Sequence, residues 1–413
     1  MNFRIFSAIA TLFSMPVAVR RNILALYIIK IAKWFMLVMP IFVPFLRENG
    51  MSLQEIMLLK SYYSAAIVIL EIPSGYLSDV IGRRNTLIAG AILGTAGYLV
   101  YSLSSGFAGF MMAELVLGAG ISLVSGADSA TLHDSLAEHG MEHQYIKYEG
   151  NTTSIGNFAE AAAALVAGLM VAVSLRYPFY AQTVVASIAI PAAIALREPP
   201  SLTMGLRPTI SDVIKTAQNI LFRDRKMSIN ILFSSVMGAA TLTMAWFVQP
   251  LFEDLGVELR NYDKLWAALN VILGIFSIAA YSIERRLGER ATLIFLTFMI
   301  PAGFILTALS GMAWSLIIIA IFYMSRGIAT PVLKGYINRL TRNEVRATVL
   351  SVRNFIIRLL FMIIAPVIGG IADRNDLSTA LLITGTLFAL LLTPLLIAYL
   401  HYVTGRYHET PTG

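Results

Sequence analysis

The sequence predicts an all-α membrane protein with twelve transmembrane helices in two six-helix pseudo-repeats. Three observations predict it. Apolar runs long enough to cross a bilayer recur along the chain, basic residues gather in alternate loops, and a loop motif of the first half returns weakly in the second. Composition agrees. The 413 residues are 57% hydrophobic and 13% charged, against about 25% charged in an average soluble domain. So little polar surface cannot cover a water-soluble protein of this size, whereas a lipid-solvated one needs no such cover. The chain has no Cys, which excludes disulfides, thiolate metal sites and thiol nucleophiles.

Crossing the hydrocarbon core takes roughly 20 apolar residues as a helix. Spans are expected at 22–46, 53–78, 85–104, 107–136, 150–174 and 177–196, and then at 229–252, 263–283, 291–309, 313–340, 349–371 and 378–402. The runs are continuous and do not alternate, which argues against a β-barrel. The organisation that follows is an amphipathic N-terminal segment at 1–20, a six-helix bundle at 21–196, a linker at 197–228, a second bundle at 229–402 and a tail at 403–413.

Ile5 to Val17 is apolar but too short to span, and reads as a helix lying on the membrane. In the linker, Pro199, Pro200, Gly205 and Pro208 break structure, and Thr209 to Asp212 reads as a capping box. Ile210, Val213, Ile214, Ala217, Ile220 and Leu221 then form one apolar stripe of an interfacial helix.

The formal charge is +7. No basic run with interleaved aromatics occurs, so a nucleic-acid partner is not expected. The Lys and Arg pattern decides orientation instead. With the N-terminus inside, about nineteen loop and end cations fall inside and about five outside, a strong positive-inside bias. Both termini are expected on the inner side.

The halves resemble each other. Gly75-Tyr-Leu-Ser-Asp79-Val-Ile-Gly82-Arg83-Arg84 follows the second span, and Ser282-Ile-Glu284-Arg285-Arg286-Leu-Gly288 follows the eighth. Gly82 and Gly288 lie about half a chain apart, and Gly120 and Gly327 keep nearly the same offset. Gly75 suits close helix approach, and Gly82 a tight turn.

The Gly-x-Leu-x-Asp-x-x-Gly-Arg-Arg pattern between spans two and three resembles the signature loop of the major facilitator superfamily. With twelve spans, a 6+6 repeat and a central loop, the similarity covers nearly the whole chain. The resemblance implies a secondary active transporter of a small organic solute that works by alternating access. It implies a bacterial inner-membrane, multi-pass protein that acts as a monomer, with protons or another ion as coupling partner and no cofactor. It also implies a conformational latch: Asp79 docked on the start of span eleven, and Arg83 meeting Asp134 or Asp128, with Gly75, Gly82 and Arg84 in the same loop. Two departures weaken a drug-antiporter reading. Glu114 stands in span four where relatives often carry Arg, and span five has no Pro.

A charge at the bilayer centre costs roughly 2.5–3.5 kcal/mol, so such residues pair or work. Lys30 and Lys33 lie three apart on span one, Arg326 and Lys334 on span ten, and Arg358 on span eleven. The resemblance places spans one, four, seven and ten around a cavity. Lys30, Lys33, Trp34, Gln249, Asn270, Arg326, Lys334 and Arg358 are therefore candidate substrate contacts. Their basic balance points to an anionic or zwitterionic substrate. Glu114, Asp128 and Glu160 are candidates for proton coupling.

Other residues have structural readings. Arg353, near a helix end, is expected to snorkel. Gly118, Ser122 and Gly126 mark a helix contact. His133 and Asp134, being adjacent, are not expected to form a dyad. An enzyme is not expected, since no HExxH, P-loop or dinucleotide glycine motif occurs, and a channel lacks a filter-like loop. Efflux of drugs or amphiphiles, a lysolipid flippase on the same fold, and a non-transporting membrane sensor are the alternatives.

Overall fold

The computed structural model describes residues 15–198, 218, 221, 223–341 and 346–404. The amphipathic segment before Met15, nearly all of the linker helix, and the tail beyond Thr404 lie outside the described residues. So do residues 342–345 ahead of span eleven and the Asp79 side chain.

The first half comprises α1 (Val17–Trp34), α2 (Phe42–Glu48), α3 (Leu53–Ile81), α4 (Arg83–Leu103), α5 (Phe107–Val124), α6 (Ala127–Ala137), α7 (Tyr145–Val171), α8 (Tyr177–Ser187) and α9 (Ala189–Ile194). The second comprises α10 (Arg225–Asp254), α11 (Tyr262–Leu287), α12 (Glu289–Leu309), α13 (Met312–Leu340), α14 (Arg346–Arg374) and α15 (Leu377–Tyr399). Among the described residues, 11 helical stretches are long and apolar enough to cross a membrane. The remaining span is α7, whose apolar stretch is Phe158–Val171.

Two expected spans are broken. Span one stops at Trp34 and resumes as α2 at Phe42. Between them Met39–Ile41 forms a 3-10 turn around Pro40, which has no N–H to give. Freed backbone donors find side-chain acceptors: Leu37 N–H donates to Gln182 Oε1 at 2.7 Å, and Val43 N–H to Gln249 Oε1 at 2.9 Å. Non-helical backbone at membrane depth requires such partners. Span four breaks at Gly126, whose φ of 87° lies in the left-handed region, where glycine is tolerated best.

The paired loop glycines behave alike. Gly82 has φ 91° and Gly288 φ 80°, and each is the single residue between two helices, α3 and α4 or α11 and α12. Close helix contacts also use glycine, though not where the sequence pattern suggested. A Cβ at Gly120 would lie 2.8 Å from Gly94 N, and one at Gly90 would lie 3.0 Å from Gly120 O, so α4 and α5 touch backbone to backbone. Gly126 and Gly75 have nothing within 4 Å of a Cβ. The close approach expected at Gly75 is not made, because no neighbouring backbone reaches that face of α3.

The chain divides into two compact units, one within Met1–Pro40 and Ala66–Arg207, the other within Ile41–Ala65 and Pro208–Gly413. In unit one, Val19, Ile23, Leu26 and Ile29 of α1 pack with Leu87, Leu132, Leu136 and Leu196. In unit two, Met227, Ile231, Ile337 and Val349 form a comparable cluster. Many Leu and Ile side chains face outward, among them Ile69, Leu169, Ile278 and Leu390, as suits helices solvated by lipid.

Each unit also caps a long helix with a carboxylate. In unit one, Glu198 accepts from Arg83 N–H and Arg84 N–H at 2.7 Å each, at the start of α4. In unit two, Asp373 accepts from Leu53 N–H at 3.0 Å and Gln54 N–H at 2.7 Å, at the start of α3. Negative charge is favoured at a helix start, where N–H groups lack partners.

Candidate substrate site

Unit one contains a small cleft lined by charged groups from three helices. From α1 come Leu26, Ile29, Lys30 and Lys33. From α6 come Asp128, Ser129 and Leu132, and from α7 Glu149 and Thr152. Lys30 and Lys33 share a face through their i, i+3 spacing, as Glu149 and Thr152 do. The break at Gly126 starts α6 two residues before Asp128, which places Asp128 and Ser129 in its first turn.

Hydrogen bonds fix the acidic side of the cleft. Ser129 N–H donates to Asp128 Oδ1 at 2.8 Å, and Ser129 Oγ donates to Glu149 Oε1 at 2.9 Å. The basic side rests on an aromatic. Lys30 Nζ lies 5.6 Å from the centroid of the Trp34 ring, within cation–π range. Gly156 of α7 makes room for both, since a Cβ there would lie 3.3 Å from Lys30 Cε and from Trp34 Cγ. Lys33 feels the charge of Asp128, yet neither lysine closes an ion pair within 4.0 Å among the described residues. The site holds two cations and two carboxylates near one another without locking them together.

Lys30, Lys33 and Asp128 are thus brought together, as expected of cavity residues. Glu149 was missed because the expected fifth span began at residue 150 and left it in a loop, and Ser129 and Thr152 because an uncharged hydroxyl inside a span does not stand out. The apolar run is shorter than the helix, which begins a turn earlier at Tyr145.

The other acids lie elsewhere. Glu114 is 1% exposed and accepts from the Tyr101 hydroxyl at 2.6 Å. Tyr101 in turn stacks on Phe110 and Phe179. Glu114 therefore sits in a packed site between α4 and α5 and does not line the cleft. Glu160 is half-buried on α7, one turn beyond Gly156.

The remaining candidates belong to unit two. Gln249 is 1% exposed and its Oε1 serves the Val43 backbone. Asn270 Nδ2 donates to Trp266 O one turn back at 3.0 Å. Arg326 is half-buried with its guanidinium 5.4 Å from the Tyr323 ring centroid, and Arg358 lies 6.0 Å from that of Tyr63. Lys334 is exposed. Lys60 is 5% exposed, with Nζ 3.4 Å from the Phe42 centroid and 4.4 Å from that of Trp246.

Two expectations need correction. Arg353 does not snorkel: it is 5% exposed, and its Nε donates to Ser234 Oγ. Its position along α14 is near the end, but its face is turned toward α10. His133 and Asp134 do meet, with Nδ1 and Oδ1 3.3 Å apart; χ rotation closes a gap that helical phase alone keeps open.

At the signature loop, Arg83 pairs with Asp134, not Asp128, and also donates to Ala130 O. Asp134 is 4% exposed. Arg84 donates twice to Ile194 O, at 2.8 and 3.2 Å. Arg83, Arg84 and Gly82 thereby hold α3 and α4 against α6, α9 and Glu198. A dock of Asp79 on span eleven lies outside the described residues.

Such a helical repeat, with its signature loop and broken spans, defines a polytopic membrane carrier fold. A family model described as the Major Facilitator Superfamily matches residues 23–366, and the chain belongs to that superfamily. Solved structures agree on the fold. The nucleoside transporter NupG superposes with a TM-score of 0.76 at 13% identity, covering 93% of this chain and 99% of that one. A bacterial homolog of the human lysosomal transporter Spinster gives 0.75 at 13%, covering 96% and 100%. A D-xylose-proton symporter gives 0.70 at 15%, covering 91% and 97%. A sequence search of curated proteins returns no match.

Proposed function

We propose that this protein is a secondary transporter that moves a small anionic or zwitterionic organic solute by alternating access, coupled to protons. The observation that carries this reading is the cleft where Lys30 and Lys33 face Asp128 and Glu149. An anionic group entering between the lysines takes over part of their attraction for the carboxylates. The carboxylate so released has a higher proton affinity, so solute and proton enter together. Thr152 and Ser129 supply hydroxyls to orient the solute, and Trp34 an apolar wall.

In this reading both termini face the cytoplasm of a bacterial inner membrane, which places the Arg83–Asp134 pair on the inner side. There the signature loop, Gly75 to Arg84, acts as a conformational latch and not as a substrate contact. Arg326, Arg358 and Lys334 contribute positive potential from the second six-helix bundle. The xylose–proton symporter and the nucleoside transporter among the structural neighbours support a small polar solute as cargo.

The test begins with a thermal-shift screen of the purified protein against carboxylates, phosphates and amino acids, because a ligand stabilises the state it binds. Hits are then assayed for uptake into proteoliposomes with and without an imposed proton gradient. The expected hits carry an anionic group, and the gradient accelerates uptake in the parent but not in Asp128→Asn. Uptake confined to uncharged amphiphiles, or uptake indifferent to both Lys30→Gln and Lys33→Gln, overturns the reading.

A further inference from the structure

The cleft of α1, α6 and α7 gives no role to Arg353, which sits two turns into α14 in the other unit. A guanidinium that is 5% exposed is costly unless its charge and its N–H groups are met. Its Nε donates to Ser234 Oγ of α10, and one terminal nitrogen reaches Asn354 Oδ1 at 3.3 Å. Both acceptors are neutral. Among the described residues, no carboxylate lies within ion-pair distance of Arg353. Its other terminal nitrogen faces Gly238, where even an added Cβ would stand 3.6 Å away. The planar edge that binds oxyanions two-pronged is therefore largely unspent.

A second cation stands close by. Lys334 lies on α13, which packs against α14, and it is exposed. Like charges on neighbouring helices repel, and an anion that joins them relieves the repulsion. Asn354, also exposed, marks the open side. On the inner side, one turn before Ser234 on α10, Asn230 is fully buried with both amide atoms lacking partners. Unspent donors and a second cation thus occur together beside exposed side chains.

We propose that Arg353, Lys334 and Ser234 form a second anion-binding site, for a carboxylate or a phosphate monoester or diester. Arg353 takes the oxyanion on its terminal nitrogens, and Lys334 acts as a mobile point charge at the mouth. The anion comes either from a dissolved solute or from an acidic phospholipid headgroup. The site does not depend on the transport reading, and its test is a binding measurement in protein carrying Lys30→Gln and Lys33→Gln, so the two fail separately.

The full-length protein is placed in nanodiscs of neutral phosphatidylcholine and titrated with inorganic phosphate and with acetate, read by calorimetry and thermal shift. A parallel sample contains phosphatidylglycerol in place of part of the neutral lipid. A free anion or the acidic lipid is expected to raise Tm. The apparent Kd is expected to weaken about tenfold in Lys334→Gln, equivalent to about 1.4 kcal/mol, and the response to vanish in Arg353→Gln. Response to phosphatidylglycerol alone identifies a headgroup, and response to phosphate or acetate a solute. No response in either arm refutes the site, as does a response that persists in both variants. Should Arg353→Gln fail to fold, the exposed Lys334→Gln still decides.

Discussion

Lys30 and Lys33 of unit one share a cleft with Asp128 and Glu149, and Arg83 pairs with Asp134. In unit two, Arg47 and Arg339 near helix ends also meet carboxylates, but four cations within its spans keep different company. Arg326 lies over Tyr323, Arg358 over Tyr63, Lys60 between Phe42 and Trp246, and Arg353 against Ser234. An aromatic face or a hydroxyl stabilises a cation but takes up no proton near neutral pH, whereas a carboxylate does when its surroundings change. A backbone plan repeated twice thus sets cations of the first copy beside carboxylates in a cleft, and several cations of the second against rings and a hydroxyl. Repetition of the helices and their turns, Gly82 matching Gly288 in backbone form, does not repeat the chemistry.

The largest expected effect tests whether unit one truly depends on ion pairing. Asp134→Ala leaves Arg83 with the Ala130 carbonyl as its acceptor among the described residues, and breaking a buried pair costs about 3–5 kcal/mol. Denaturant or thermal melts should show that loss, and the double variant with Arg83→Gln should recover part of it. A loss below about 1 kcal/mol would place this pair among weak surface bridges and blur the contrast between units.

Next in size is the split between lysines. Lys33→Gln removes a charged partner of the solute, worth about 1.5–3 kcal/mol, or roughly tenfold to a hundredfold in apparent affinity. Arg326→Gln, over an aromatic ring, should cost only a few-fold. Uptake and binding titrations check both, and the reverse order would invert the comparison.

A smaller change is expected at Lys60. Lys60→Met keeps the bulk beside Phe42 and Trp246 but loses the cation–π contact, worth about 1–2 kcal/mol. Thermal melts of the variant should fall slightly, with solute affinity unchanged. An affinity loss equal to that of Lys33→Gln would bring Lys60 into the substrate path.

The smallest effect concerns a carboxylate of unit two with a structural task. The Thr379 backbone N–H, and then its hydroxyl, hold the Asp376 carboxyl below the usual carboxylate range at the start of α15. A depressed value means that the cap stabilises the fold above the unfolded carboxylate pKa of about 4. That contribution fades as pH falls through the lower folded value. Acid melts of Asp376→Asn should show a flatter stability profile there than the parent, with neutral-pH uptake unchanged.

The helices were legible because lipid demands long apolar runs, and the turn at Gly82 because only a few residues tolerate positive φ. Hydropathy counts apolar residues but does not locate bends, so it ran span four through Gly126 and span one through Pro40. It also started α7 late, which hid Glu149, a carboxylate just past the first turn of that helix. Lys30, Lys33 and Asp128 were found because a charge inside an apolar run is costly enough to stand out. Arg353 was misread because depth along a helix says nothing of which way its face is turned. Glu198, read as linker, caps α4 from far along the chain, a pairing no local pattern encodes. Gly75 was credited with a contact that its exposed face does not make.

One feature of the backbone constrains any cycle of movement. The dividing line between the two units runs through α3, which is unbroken from Leu53 to Ile81 although Ala65 and Ala66 belong to different units. Rods of this kind do not shear. The first turn of α3 is held by Asp373 and lies against the bare faces of Gly369 and Gly370. A substitution at that tip would therefore be felt along a continuous rod of 29 residues and not within one local turn.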